Sequence, residues 1–421
     1  MNIAAYPKYE LTSTTQAAHL PVIPRHWEVR RVKYASNLKS EKIASKGCDL
    51  PYIGMENVQS WSGKLLEGGS EVEGLATTFE AGDVLFGKLR PYLAKVVKPD
   101  FSGICSSEFL VCQSIKDTFG DFLAYALRSS DFISLINGST YGAKMPRANP
   151  GFVANAEIPF PPLPEQRAIA AFLDKKCASI DEAIRIKEAQ ITLLRERRQI
   201  LIQQAVTRGL KPDAPMKDSG IDWIGEIPAH WEVKRNKHLF IEINERSARG
   251  KEQHLSMSQK LGLVPANLVE KSLASESYQG AKLVKKDDLV LNRLKAHLAV
   301  FSLAPMDGLV SPDYSVFRPF ISGVVSDYFE ILFKTSKYLG EFRLRVRGIV
   351  EGFYRLYTSD FMDCPLLFPP LDEQVVIVRH VREIAEKSKN AISIKQDQIA
   401  KLKEYKTSLI NAAVTGKIRV I

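Results

Sequence analysis

IPRHWEVRR at Ile23–Arg31 returns as IPAHWEVKR at Ile227–Arg235, which sets Trp27 against Trp231, 204 residues further on. The match is the first of four that run in the same order through both halves of the chain. GDVLFGKLRPYLAKV (Gly82–Val96) aligns with DDLVLNRLKAHLAVF (Asp287–Phe301), placing Lys88 on Arg293 and Arg90 on Lys295 at a spacing of 205. FPPLPEQRAI (Phe160–Ile169) answers FPPLDEQVVI (Phe368–Ile377) at 208, and QAVTRG (Gln204–Gly209) answers AAVTGK (Ala412–Lys417), again at 208. A spacing this constant means one fold used twice, with loops that differ by a few residues. Copies of roughly 200 residues are too long for solenoid units, so the chain is a duplicated domain pair.

Within each copy, short β-branched and aromatic runs such as FLVCQSI (Phe109–Ile115) and YSVFRPF (Tyr314–Phe320) are separated by Gly, Pro and Asp, which predicts strands. FGDFLAYALRSSDFISLI (Phe119–Ile136) and SDYFEILFKTSKYLGEF (Ser326–Phe342) space their apolar residues as helices do. The doublets Pro161-Pro162 and Pro369-Pro370 then end each globular part, because proline lacks a donor and restricts the residue before it. Beyond them Ile169, Leu173, Cys177, Ile180, Ile184, Lys187, Ile191, Leu194, Arg198, Leu201 and Ala205 step by four and three, a heptad seam with polar breaks. The second half repeats it at Ile377, Val381, Ala385, Ser388, Ile392, Lys395, Ile399, Leu402, Lys406, Leu409 and Ala413. Two long helices that both need a partner along one face are expected to pack on each other. About 40 residues at ~1.5 Å each give a rod on the order of 60 Å.

The expected fold is α+β: two mixed α/β domains separated by two long helices packed as an antiparallel coiled coil, with internal tandem pseudo-symmetry. The expected boundaries are an N-terminal arm (1–20), a first globular domain (21–160), a central helix (161–208), a linker (209–226), a second globular domain (227–368) and a C-terminal helix (369–421). GLKPDAPMKDSG (Gly209–Gly220) has the composition of an exposed linker. LTSTTQAAHLP (Leu11–Pro21) stands where the second half has KDSGIDWIGEIP, so the first domain's start is less defined than the second's.

The 421 residues allow two to four domains, and 45% hydrophobic with 25% charged residues is an ordinary globular composition. Lys and Arg exceed Asp and Glu by 58 to 48, a net charge of +10 that favours a polyanionic partner. No run of about 18 apolar residues occurs and the N-terminus lacks a secretory pattern, so the expected location is cytoplasmic, without a membrane. Cys48, Cys105, Cys112, Cys177 and Cys364 are odd in number and irregularly spaced, which points to reduced thiols rather than a disulfide framework or a zinc site.

With IPxHWEV, PPLxEQ and the AVT helix end each present twice and in order, the chain resembles the specificity subunits of Type I restriction-modification systems over nearly its full length. The resemblance implies two target-recognition domains, each reading one half of a split double-stranded DNA site. It also implies helices that set their spacing and dock two methyltransferase subunits, with restriction and translocase subunits joining that core. S-adenosylmethionine, ATP and Mg would then sit on the partner subunits, and this chain would hold no cofactor and no metal.

The residues themselves offer little for catalysis. There is no GxxxxGK[ST] loop, no HExxH and no CxxC. Asn149-Pro150-Gly151-Phe152 is similar to the Asn-Pro-Pro-Phe/Tyr motif of adenine methyltransferases, but the second proline and any glycine-rich cofactor loop are missing, and a turn is the plainer reading. A stand-alone DNA-modifying enzyme and a regulator binding a split operator are the two other function classes.

Phosphate contacts position a protein without specifying sequence, so residues shared by the halves suit the backbone and residues that differ suit base edges. Lys88 with Arg90, and Arg293 with Lys295, exchange Arg for Lys freely, which a phosphate tolerates and bidentate guanine reading does not. Tyr92 and His297 follow at equivalent places. A solvated hairpin is the alternative for this loop. For base reading the divergent loops stand out: Lys144, Arg147 and Asn149 in one half, Arg345, Arg347, Arg355 and Tyr357 in the other. Asn57 (beside Glu56 and Gln59) and Gln259 (between Ser258 and Lys260) form a further amide pair, with turn capping the alternative for Asn57.

Overall fold

The computed structural model describes residues 3–45, 47–68, 74–142, 144–259, 261–269, 278–298, 300–348 and 354–420. They form two compact units, Met1–Glu188 with Lys395–Ile421, and Ala189–Ile394. Each unit thus owns one globular part and a segment of each long helix, Leu163–Arg208 and Leu371–Val414.

In the first unit, strand Val84–Gly87 is buried at all four residues and lies between Phe109–Ser114 and Val96–Val97, with Ser36–Lys39 on the far edge. Strand side chains alternate between faces. Val84, Phe86, Leu110 and Cys112 therefore enter a core with helices Gly120–Leu127 and Ser130–Gly138, while Leu85, Phe109 and Val111 enter another with Ile53, Phe79 and Cys105 of a second four-stranded sheet. A central sheet covered on both faces explains the continuous apolar runs VLF and FLVC.

The second unit repeats the layering. Leu289, Leu291, Phe301 and Phe317 pack towards helices Ser326–Phe333 and Ser336–Arg345, and Val290 and Val316 pack with Val284 and Val310 on the other side. Four buried cysteines share these cores or the seam. Burial pushes Cys105, Cys112 and Cys364 up to about 12 and raises Cys177, so they are held as neutral thiols.

Three sequence motifs meet at one junction in each unit. Strand Glu28–Arg31 of the HWEV motif pairs antiparallel with Glu157–Phe160, which runs straight into the proline doublet; Glu232–Arg235 pairs with Pro365–Phe368 in the same way. Gln166, with no exposed surface, accepts from the Phe119 N–H (2.8 Å) and donates to the carbonyls of Asp117 (3.0 Å) and Pro161 (2.9 Å). Gln374 makes the equivalent set with Val325, Gly323 and Pro369 at 2.9, 2.9 and 2.8 Å. The AVT helix ends complete each junction: Ala205 and Val206 pack in the core of Trp231, and Gly416, beyond Val414, lies against Pro24 and Trp27. Gly209 and Gly416 take φ of +75° and +71°, left-handed values that end the helices and favour glycine.

Every seam position of both helices is buried or partly buried. Ile186, Leu193, Ile200 and Ile394, off the seam, are exposed instead. Two of the polar breaks are paired: in the first unit Lys187 Nζ donates to Gln398 (2.8 Å) and Lys406 Nζ to Asp181 (2.7 Å). Truncating fully buried Leu409 to Ala removes seam packing worth about 3 kcal/mol.

The arm and the linker read from sequence are in part strands. Thr12–Thr14 pairs with Val22–Pro24, and Met216–Asp218 with Glu226–Pro228, in matching registers. Two unlike sequences build the same hairpin because the ladder uses backbone groups, which composition does not reveal. No described helix is long and apolar enough to cross a membrane.

Candidate nucleic-acid interface

The end of strand Val84–Gly87 carries Lys88 and Arg90 into contact with the divergent loop after helix Ser130–Gly138. Lys88 N–H donates to the Glu108 carbonyl (2.8 Å), the Lys88 carbonyl accepts from Ala148 N–H (2.9 Å), and Arg90 N–H donates to the Pro146 carbonyl (2.7 Å). Tyr141 and Arg147 exchange backbone bonds of 3.2 and 3.0 Å, which bridge the two ends of the loop. Two stretches joined by bonds between residues 60 (Lys88 and Ala148) and 56 (Arg90 and Pro146) apart in sequence therefore form one surface.

The second unit builds the same arrangement. The Arg293 carbonyl accepts from Leu356 N–H (3.0 Å), and Arg347 and Arg355 exchange backbone bonds of 3.0 and 2.9 Å. Arg293 thus answers Lys88, Arg347 answers Tyr141 and Arg355 answers Arg147.

Within the shared basic pairs the two members differ. Lys88 is half-buried and its ammonium donates to the Ser107 carbonyl (2.7 Å); burial lowers its pKa, against the pull of Glu108. Arg293 likewise turns inward, Nε donating to the Asp313 carbonyl (2.8 Å). Arg90 and Lys295 are exposed. Of the four residues expected to meet phosphates, Arg90 and Lys295 thus face solvent, whereas Lys88 and Arg293 each commit a donor to the backbone of their own loops. Arg90 is held at φ +51°, an unusual conformation for a side-chain-bearing residue, by the bond to Pro146. Tyr92 is exposed beside it; the side chain of His297 lies outside the described residues, as does Lys260.

Of the base-reading candidates, Lys144, Arg347 and Tyr357 are exposed, and Arg147 and Arg355 partly so. Arg347 lies 5.8 Å from the Tyr357 ring centre and 2.7 Å from Asp360 Oδ1. Arg345 is corrected to a clamp, since its Nε binds Glu341 (2.6 Å) and its Nη1 the Asp360 carbonyl (3.0 Å). Asn149 caps helix Pro150–Asn155, its Oδ1 accepting from Gly151 N–H (2.8 Å) and Phe152 N–H (3.3 Å), so the methyltransferase-like tetrapeptide is a helix start. Asn57 is 6% exposed, accepts from Gly54 N–H (2.7 Å) and donates to the Gly68 carbonyl, which makes it a turn brace rather than a base reader. Gln259 is exposed in the turn between Leu255–Ser258 and Gly262–Pro265, so the two amides are not structural equivalents.

Sequence comparison passed over two carboxylates at the centre of these surfaces. Glu108 binds Arg147 through Nε (3.1 and 3.2 Å) and Nη2 (3.0 Å), and holds that guanidinium's pKa above its usual value. Asp313, 205 residues on, lies 3.7 Å from Arg355 Nη2 and 3.9 Å from Arg293 Nη2. The 205-residue spacing that sets Lys88 on Arg293 also sets Glu108 on Asp313, beyond the matched stretch. Among the described residues no group of His, Cys, Asp and Glu is arranged to hold a metal ion.

A family model for the Type I restriction modification DNA specificity domain matches residues 24–193. The chain is 26% identical over 238 residues to the EcoDI specificity subunit of Escherichia coli, a likeness that spans 54% of this chain and about half, 48%, of that subunit. It is 23% identical over 431 residues to the MjaVIII specificity subunit of Methanocaldococcus jannaschii, which covers 94% of each. Among solved structures the fold is similar to a chain from a study of the assembly and conformational transition of the type I R-M system. That likeness has a TM-score of 0.71 at 20% identity and covers 93% of this chain and 98% of that one. The HsdS subunit from Thermoanaerobacter tengcongensis gives 0.57 at 18% identity, covering 94% and 98%. With the twice-repeated motifs and the junctions they build, the chain is similar to Type I restriction-modification specificity subunits, in one case over nearly its whole length.

Proposed function

We propose that the chain is the non-catalytic reading subunit of a Type I restriction-modification complex and binds a split double-stranded DNA site, one half-site per globular domain. One observation carries this: the same basic surface, an outward cation beside a backbone bridge that bears an arginine, is built twice from segments in the same order. Arg90 and Lys295 contact phosphates, and the bridged residues Tyr141 with Arg147 and Arg347 with Arg355 meet base edges in the major groove.

The two long helices act as an antiparallel coiled coil that fixes the distance between the readers. Support comes from the order of the polar pairs, in which a later residue of the first helix (Lys187 after Asp181) meets an earlier one of the second (Gln398 before Lys406). The tandem repeat is then a pseudo-symmetric one that presents two equivalent docking surfaces for two methyltransferase subunits. Restriction and translocase subunits join through them. S-adenosylmethionine, ATP and Mg belong to those partners, and the complex works in the cytoplasm.

The test is a methylation map of the host genome with the gene present and deleted. The expected result is a motif of two specified blocks around a fixed unspecified gap that disappears with the gene. A map unchanged by deletion overturns the proposal. So does methyl transfer by the highly purified chain alone, which would make it an enzyme in its own right.

A further inference from the structure

The two arginine–carboxylate pairs differ in a way that bears on recognition. Glu108 grips the Nε edge of Arg147 with both oxygens, so the plane of the guanidinium is fixed while Nη1 has no protein partner among the described residues. Asp313, one methylene shorter and 62% exposed, reaches only Nη2 of Arg355, at 3.7 Å. Guanidinium donors lie in a rigid fork, so committing one edge to a carboxylate aims the other.

We propose that Glu108 and Asp313 are positioning residues for base reading, holding Arg147 and Arg355 so that their remaining N–H groups address a base edge. This rests on the DNA-reading role proposed for these bridged residues. An arginine on an unbraced loop settles on a phosphate as readily as on a base. A carboxylate behind it works against that outcome twice, by occupying the Nε edge and by repelling the phosphate backbone. The brace at Glu108 is bidentate and the one at Asp313 is long, so the first domain discriminates more sharply at its arginine-read position than the second.

The test uses the full chain assembled with a methyltransferase partner and reads the methylated motif of each variant. Glu108→Ala is expected to relax one base position of one half-site by about tenfold and leave the other half-site untouched. Arg147→Lys relaxes that same position, and Glu108→Asp retains most of the discrimination. Asp313→Ala relaxes one position of the other half-site by about threefold. Asp313 is exposed enough to be truncated without disturbing a core, so it decides the question should Glu108→Ala fail to assemble.

Unchanged motifs in variants that still assemble overturn the inference and leave the proposed function standing. Relaxation at different positions by Glu108→Ala and Arg147→Lys also overturns it, because the carboxylate would then touch the base itself. A wild-type complex that modifies no split site removes the proposed function and this inference together.

Discussion

The two junctions where a globular part grips the start of its helix use the same carboxylate with different partners. In the second unit Glu373 accepts from both His230 Nε2 (2.7 Å) and Trp231 Nε1 (2.8 Å), so the HWEV motif supplies both donors. In the first, Glu165 accepts from His26 Nε2 (2.8 Å), but Tyr9 Oη takes the second place and Trp27 Nε1 is buried with no partner among the described residues. Burial and the Glu165 contact raise the Tyr9 pKa well above its ordinary value, so it stays a donor at any working pH. One motif thus serves one purpose by two hydrogen-bond sets, and what is retained is the carboxylate's pair of donors rather than their source.

The largest effect should come from what the junctions share. Gln166→Ala or Gln374→Ala deletes three hydrogen bonds and strands their buried partners, a loss of about 3 kcal/mol in thermal or denaturant unfolding. Equal losses for the two are expected; a silent Gln374→Ala would show that the second junction is held by other contacts.

Next comes what they do not share. Trp231→Phe loses a bond to a charged acceptor and should cost about 2 kcal/mol more than Trp27→Phe, whose indole N–H is already unsatisfied. Tyr9→Phe in the first unit should reproduce most of the Trp231→Phe loss. Equal costs for the two tryptophans, measured by urea unfolding, would remove the distinction drawn here.

Acid should also tell the units apart. Burial opposes ionisation of Asp181, but Lys406 and Lys64 outweigh it, so its folded pKa is lowered. A lowered carboxylate pKa gives stability that is complete above the unfolded value of about 3.9 and is lost as pH falls through the folded one. The equivalent residue of the other helix is Lys389, so this loss belongs to the first unit. Hydrogen exchange below pH 4 should quicken at helix amides near Asp181, and Asp181→Asn, costing about 1 kcal/mol near neutrality, should abolish the extra acid sensitivity. Equal quickening near Lys389 would sink the assignment.

The smallest effect concerns the outward cations. Arg90→Ala and Lys295→Ala should each flatten the slope of log affinity against log salt by about 0.9, on every DNA sequence tested. Loss of discrimination at one base position instead would make that cation a reader rather than an anchor.

The heptad seams and the proline doublets made the long helices legible, because periodic burial over eleven positions leaves few other packings for the apolar faces. The basic loops were legible because duplication repeats them. Asn57 misled, since an amide that braces a turn and one that meets adenine look alike until burial is known. Glu108 and Asp313 were missed for a related reason: a lone acid in a basic loop reads as surface charge, and only the fold brings Arg147 and Arg355 back beside it. The hairpin of Thr12–Thr14 was hidden because its counterpart at Met216–Asp218 shares the ladder and not the sequence.

The central claim is that the helix pair is a ruler between two readers. Inserting four residues after Thr192 and four after Ile394, a few residues from the Lys187–Gln398 pair on each helix, adds roughly 6 Å to both and preserves the antiparallel register of the proposed coiled coil. Methylation mapping of that variant should return the same two half-sequences with the gap widened by about one or two base pairs, since one helical turn of DNA spans on the order of 34 Å. An unaltered gap, whatever bases are then read, would contradict the account.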